Sequence, residues 1–165
     1  MTYLIDGYNL LHRAYGSWLR ELGLERAREQ LEARLEAFAH AEPDARIVLC
    51  YDGRGARSTR SERLPGLEVR FSSGGTSADE LILDLARSAE RAASIMVVTS
   101  DVVDIAGRVR QLGCRHRSSE EFAAEVARAI DAPRGARTSR EPPRISAKET
   151  DAWLREFDLH PEDDA

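Results

Sequence analysis

Two short runs, Arg46–Tyr51 (RIVLCY) and Ile95–Thr99 (IMVVT), constrain the fold more than any other feature of this chain. Both are almost wholly apolar and rich in β-branched residues, the pattern of strands covered on both faces. Such strands need helices above and below them, and the segments between them can supply these. Leu24, Ala27, Leu31, Leu35 and Phe38 recur at helical spacing across Leu24–Ala41, as do Ala78, Leu81, Ile82, Leu85 and Ala89 across Ser77–Ala92. The second helix opens with Ser77-Ala-Asp-Glu80, a capping box.

Further strands are expected at Tyr3–Ile5, Leu67–Phe71 and Cys114–His116. Further helices are expected at Val102–Leu112, stopped by Gly113, and at Ser119–Ile130, ended before Pro133. Strand–helix alternation of this kind predicts a three-layer α/β/α domain with right-handed crossovers. That domain is expected over residues 1–132. A basic Pro/Arg linker, 133–145, follows with Gly135, Pro142 and Pro143. Residues 146–165 then carry a second capping box, Ser146-Ala-Lys-Glu149, a short helix around Trp153, Leu154 and Phe157, and an acidic tail.

Four aspartates stand just past a predicted strand or in the first turn of a predicted helix. They are Asp6 in YLIDGYN, Asp52 in IVLCYDG, Asp79 in GGTSADE and Asp101 in IMVVTSD. In an open parallel sheet, ligands bind in the crevice beyond the carboxyl ends of the strands. Carboxylates gathered there repel one another unless a hard cation sits between them. Each alone has an ordinary explanation: Asp6 and Asp101 as helix caps, Asp52 as a turn residue, Asp79 as a partner of the helix dipole. Their conjunction at one sheet edge points to a divalent metal site. Gly7 would permit close backbone approach or an unusual dihedral there. Asn9 reaches the same crevice if a helical turn begins at Gly7. Glu80 is accounted for by its capping box.

Charge is unevenly laid out. Residues 145–165 carry the whole net charge of −5, leaving residues 1–144 neutral. Within that neutral body Arg54–Arg70 and Arg134–Arg144 are each net +3, and the single lysine of the chain, Lys148, lies in the acidic segment. Arginine clusters suit bidentate phosphate contacts, so nucleic acid is permitted as a partner. No run of 18 apolar residues is present, so no membrane helix is expected. Thr2–Ile5 begins as a strand without a leader pattern, and a cytoplasmic location is expected. Cys50 and Cys114 lack CxxC spacing and read as buried, reduced thiols. His12, His40, His116 and His160 show no ligand spacing. There is no GxSxG elbow, no P-loop and no GxGxxG, which leaves no organic cofactor to expect.

Ile5-Asp-Gly-Tyr-Asn-Leu10, Tyr51-Asp-Gly53, Thr76-Ser-Ala-Asp-Glu80 and Val98-Thr-Ser-Asp101 together resemble the NYN-domain proteins of the PIN-like nuclease superfamily, specifically the bacterial YacP-like branch. The resemblance extends to about Ile130, and less closely over the Trp153 helix. It implies a five-stranded parallel sheet of order 3-2-1-4-5 and a metal-dependent ribonuclease site. By motif position Asp6, Asp79 and Asp101 match the family's metal-binding acids, with Asn9 and Asp52 as supporting members. On that reading Mg²⁺ or Mn²⁺ is the cofactor and RNA, in a ribosome-associated setting or free, is the partner. Thr99 and Ser100 would add hydrogen bonds at the same edge, and Arg54, Arg57 and Arg60 would contact RNA phosphates. The basic linker and acidic tail are departures that these motifs do not map onto the family's pattern.

The expected activity is therefore that of a divalent-metal-dependent endoribonuclease leaving a 5′-phosphate and a 3′-hydroxyl. Three rivals differ from it. A catalytically weak RNA- or ribosome-binding module of the same fold would have no need of the acids, all of which are present. A structure-specific DNA nuclease would carry more acids and a long helical arch, for which 165 residues leave little room. A small-molecule phosphatase would want a second aspartate two residues after Asp6, where Tyr8 stands.

Overall fold

The computed structural model describes residues 1–53, 62–64, 66–73, 75–101 and 105–132. Residues Met1–Ala132 form one compact unit. The linker, the Trp153 helix, the tail and Arg54, Arg57 and Arg60 lie outside the described residues.

The strands are β1 (Thr2–Asp6), β2 (Arg46–Tyr51), β3 (Glu62–Leu64), β4 (Leu67–Phe71), β5 (Ile95–Val98) and β6 (Arg115–Arg117). They build one sheet in the order β3-β4-β2-β1-β5-β6. The five strands from β4 to β6 all run parallel, so they carry the expected 3-2-1-4-5 order. One strand was not foreseen: β3 pairs antiparallel with β4 and closes that edge of the sheet. Its three residues lie in an arginine-rich, Gly/Pro-flanked stretch with no apolar alternation to betray a strand.

Helices α1 (Gly7–Ala14), α2 (Gly16–Leu22), α3 (Leu24–Ala41), α4 (Ala78–Arg87), α5 (Gly107–Gln111) and α6 (Ser119–Asp131) complete the domain. The side-chain alternation of the strands sorts them into layers. Tyr3 and Ile5 of β1 and Ile47, Leu49 and Tyr51 of β2 bury against Leu10 and Leu11 of α1, Leu31, Leu35 and Phe38 of α3, and Phe122 of α6. Leu4, Val48, Cys50 and Val97 point the other way, onto Ile82, Leu83 and Ala86 of α4 and Val109 of α5. Both thiols are buried and outside any disulfide, and burial pushes the Cys50 thiol up to about 12.

The strands Tyr3–Ile5, Ile95–Thr99 and Cys114–His116 and the helix Ser119–Ile130 differ from expectation by one residue at one end or both, and the larger departures are in α4, α5 and the unforeseen α1 and α2. Helix α4 ends at Arg87, where the Ser88 amide and hydroxyl both donate to the Asp84 carbonyl and close the last turn. Of the helix expected over Val102–Leu112, α5 covers Gly107–Gln111, the Ala106 amide before it donates to the Asp101 carbonyl at 3.3 Å, and residues 102–104 lie outside the described residues. Helices α1 and α2, with eight and seven residues, are too short for a periodic signal to stand out.

Candidate active site at the carboxyl edge of the sheet

Strand β1 lies between β2 and β5, so the chain leaves it toward opposite halves of the sheet. This is the topological switch point, where parallel sheets open a crevice at their carboxyl ends. Asp6 ends β1 there and is also the N-cap of α1: its Oδ1 accepts the Asn9 amide at 3.0 Å. Partial burial raises its pKa, and the neighbouring charges of Asp52 and Asp101 raise it further, against the lowering effect of the Asn9 amide. Two acids 46 and 95 residues further along the chain are thus within electrostatic reach of Asp6.

Gly7 follows Asp6 because nothing larger fits. A Cβ at that position would stand 2.3 Å from the Tyr51 ring, which is fully buried between Phe71 and the Arg28 guanidinium. Of the two reasons for a glycine here, close approach is therefore the one that applies.

Asn9 ties the site together. Its Oδ1 accepts the Ser100 amide and the Ser119 hydroxyl, both at 2.8 Å. The backbone donor fixes which end of the side-chain amide is oxygen. Asn9 thus pins the exit of β5 to the start of α6, holding protein rather than a ligand through this atom. Ser100 donates in turn to Glu120 Oε2 at 2.6 Å and accepts the Ser119 amide. Fully buried Thr99 accepts the Asp101 amide on Oγ1 at 3.1 Å, and its carbonyl meets His116 Nε2 at 2.8 Å. Thr99 and Ser100 therefore shape the backbone that presents Asp101.

On the other side of Asp6, Asp52 Oδ1 accepts the Ala78 amide at 2.8 Å, capping the first turn of α4 from the end of β2. Asp79 occupies the next position of that turn, half-buried and engaged with its surroundings. The box between Ser77 and Glu80 closes in both directions, as its spacing predicts.

A YacP-like NYN domain model matches residues 3–157. The chain belongs to that family, a branch of the PIN-like nucleases. A search of curated proteins returned no match. Among solved structures, a point mutant of Rae1 (YacP) from Bacillus subtilis is 25% identical, with a TM-score of 0.62 over 78% of this chain and 76% of the other. A second Rae1 (YacP) structure from the same organism is 22% identical, with a TM-score of 0.65 over 95% and 81%, and shows the shared fold.

The NYN domain brings Asp52 and Asp101 each within electrostatic range of Asp6, with Asp79 on the turn that Asp52 caps. Among the described residues, no three His, Cys, Asp or Glu side chains are grouped as a set that could hold an ion. The donor chemistry nevertheless fits a hard divalent cation: every candidate ligand is a carboxylate oxygen. One acid at this edge escaped the sequence reading. Glu120 lies in Ser118-Ser-Glu-Glu121, whose capping box closes as that of Ser77–Glu80 does. Each box thus places an acid at the second helical position, Asp79 in α4 and Glu120 in α6, one on either side of the sheet. That parallel was the available signal. The Ser100 hydroxyl lowers the pKa of Glu120 and keeps it ionised. No helix among the described residues is long and apolar enough to cross a membrane.

Proposed function

We propose that this chain is a divalent-metal-dependent endoribonuclease that hydrolyses RNA phosphodiester bonds with water as nucleophile. One observation carries the reading: Asp6, at the switch point of the sheet, is destabilised as an anion by burial and by the charges of Asp52 and Asp101. A folded protein that holds such charges against one another has use for a cation between them. Membership of a PIN-like nuclease family gives that cation a purpose. Asp6, Asp79 and Asp101 would hold Mg²⁺ or Mn²⁺. When bound, the ion would acidify a water and offset the charge building on the phosphate.

The chain's own residues supply the rest. Asp52 fixes the first turn of α4 and so positions Asp79. Asn9, Thr99 and Ser100 fix the segment that presents Asp101. Glu120 adds a carboxylate at the β5 side, held by Ser100. The proposed RNA contacts of Arg54, Arg57 and Arg60 would make binding salt-sensitive, as phosphate contacts do.

The ungrouped acids favour a second reading, an RNA-binding module with little turnover. One assay separates the two. Structured and unstructured RNAs are incubated with Mn²⁺ and either wild type or Asp6→Asn, and the product ends are identified. Metal-dependent cleavage to 5′-phosphate ends, lost in Asp6→Asn, supports the nuclease. RNA binding without cleavage in Mn²⁺ or Mg²⁺ supports the module.

A further inference from the structure

Beside the acids, on the β4 side, lies a cleft of about 610 Å³ that the hydrolytic chemistry does not use. Tyr8, Leu24, Asp52, Gly53, Ser73 and Thr76 are among the residues that line it. We propose that this cleft is a nucleobase subsite, taking one unpaired base of the RNA strand against the Tyr8 ring. The proposal rests on the RNA-cleaving reading above and names a part of the substrate that the acids themselves do not touch.

Size, chemistry and position each support it. The volume falls within the roughly 300–1,000 Å³ of ligand pockets, and the lining sets one aromatic and one aliphatic side chain, Tyr8 and Leu24, among hydroxyl-bearing residues and glycines. The Tyr8 ring is only partly buried and rests at a tilt of 54° against the Tyr51 ring, centroids 5.0 Å apart; Tyr51 is itself stacked near Phe71. An aromatic side chain held by a neighbouring ring is a good platform for a base, because every base has a π-face. Gly75 borders the cleft with φ +84, and a Cβ there would meet nothing within 4 Å, so this wall leaves room. The Ser73 hydroxyl can donate to or accept from a base edge, and the Thr76 hydroxyl, which donates to the Ser73 carbonyl at 2.6 Å, can still accept. The Asp52 carboxylate in the wall disfavours a phosphate, so the neutral part of a nucleotide suits the site better than its charged part.

Position ties the cleft to the reaction. Tyr8 is two residues from Asp6, and Asp52 belongs both to the cleft wall and to the charges felt by Asp6. A strand whose phosphate lies at the acids would therefore present a neighbouring base to Tyr8. This also predicts a preference for unpaired RNA, since a base held in a duplex cannot turn into the cleft.

The test is an abasic scan. A labelled single-stranded RNA heptamer is bound in EDTA, so that affinity is read without cleavage, and each nucleotide in turn is replaced by an abasic one. Wild type should lose about tenfold in affinity at one position, the usual size of a single base stack. Tyr8→Ala should bind the intact heptamer as weakly as wild type binds the abasic one, and Tyr8→Phe should keep the wild-type pattern. Ser73→Trp fills the cleft from an exposed residue and should abolish the abasic effect without disturbing the core. Wild-type affinity indifferent to an abasic site at every position would overturn the subsite, as would an undiminished effect in Ser73→Trp. Because binding is read without metal, an abasic effect in a protein that never cleaves RNA would sink the nuclease alone. Cleavage without any abasic effect would sink the subsite alone.

Discussion

Gly7→Ala tests the packing that places Asp6, and its sign discriminates between two accounts. On helix propensity alone, alanine should be better than glycine by up to about 1 kcal/mol. The structure predicts the opposite. The added methyl would stand 2.3, 2.7 and 2.9 Å from three carbons of the Tyr51 ring. Ordinary carbon contacts lie near 3.5–4.0 Å, so the ring must retreat by roughly 1 Å or α1 must lift by as much. Tyr51 has nowhere to go: it is fully buried, stacked near Phe71 at 5.5 Å and covered by Arg28 at 4.7 Å. Overpacking costs about 1–3 kcal/mol, and a closed site belongs at the upper end. After the propensity gain, a net loss of about 2 kcal/mol is expected, or roughly 4–8 °C in Tm for a protein of this size. Urea unfolding of wild type, Gly7→Ala, Tyr51→Leu and the double variant measures it. Shrinking the ring should relieve the clash, so the double variant should be more stable than the sum of the single effects predicts, by about 0.5–3 kcal/mol. A neutral or stabilised Gly7→Ala at unchanged m-value, or a strictly additive cycle, would show that the close approach does not constrain this position.

Other substitutions probe the acids and their supports. Asp6→Asn should raise stability at pH 7 without metal: burial and like charges hold the folded-state pKa above 3.8, so ionised Asp6 costs stability. This cost grows as pH rises through the raised pKa and vanishes below the ordinary one, so the advantage of Asp6→Asn in thermal melts should disappear in strong acid. Asparagine caps a helix about as well as aspartate, so the cap is kept. Mn²⁺ should raise the wild-type Tm, and most of that rise should be missing in Asp6→Asn. Asp79→Asn should stay folded and lose RNA cleavage by orders of magnitude, whereas Glu80→Gln, which preserves the capping box, should stay largely active. Equal turnover in the two would remove Asp79 from the proposed site. Asn9→Ala strips the acceptor from the Ser100 amide and the Ser119 hydroxyl, at about 1–3 kcal/mol per stranded donor. Asn9→Asp keeps that acceptor and should lie closer to wild type in urea unfolding. Equal losses in both would argue against the two bonds as the cause.

Much of this fold is local information. The runs Arg46–Tyr51 and Leu67–Phe71 became strands with the expected bounds, and Leu24–Ala41 became a helix with the expected bounds. Apolar period and β-branching act within a few residues and are legible in a string. The capping box of Ser77 and Glu80 is local as well, and it formed. The recurrence of Asp6, Asp52, Asp79 and Asp101 at element ends could also be read, because it follows once the elements are known. What each acid does with its oxygens could not. Asp52 spends one on an amide 26 residues away, and Asn9 turns its carbonyl to residues 91 and 110 positions distant. These bonds exist only because β1, β2 and β5 lie side by side, an arrangement no local pattern encodes. Glu120 joins the same edge through Ser100, and Gly7 is required by a ring from β2. The sequence by itself determined which segments become strands and helices and where acids fall along them. Only the tertiary structure decided which of those acids face one another and which polar groups hold them there, because those contacts join residues that are near in space and far apart in the chain.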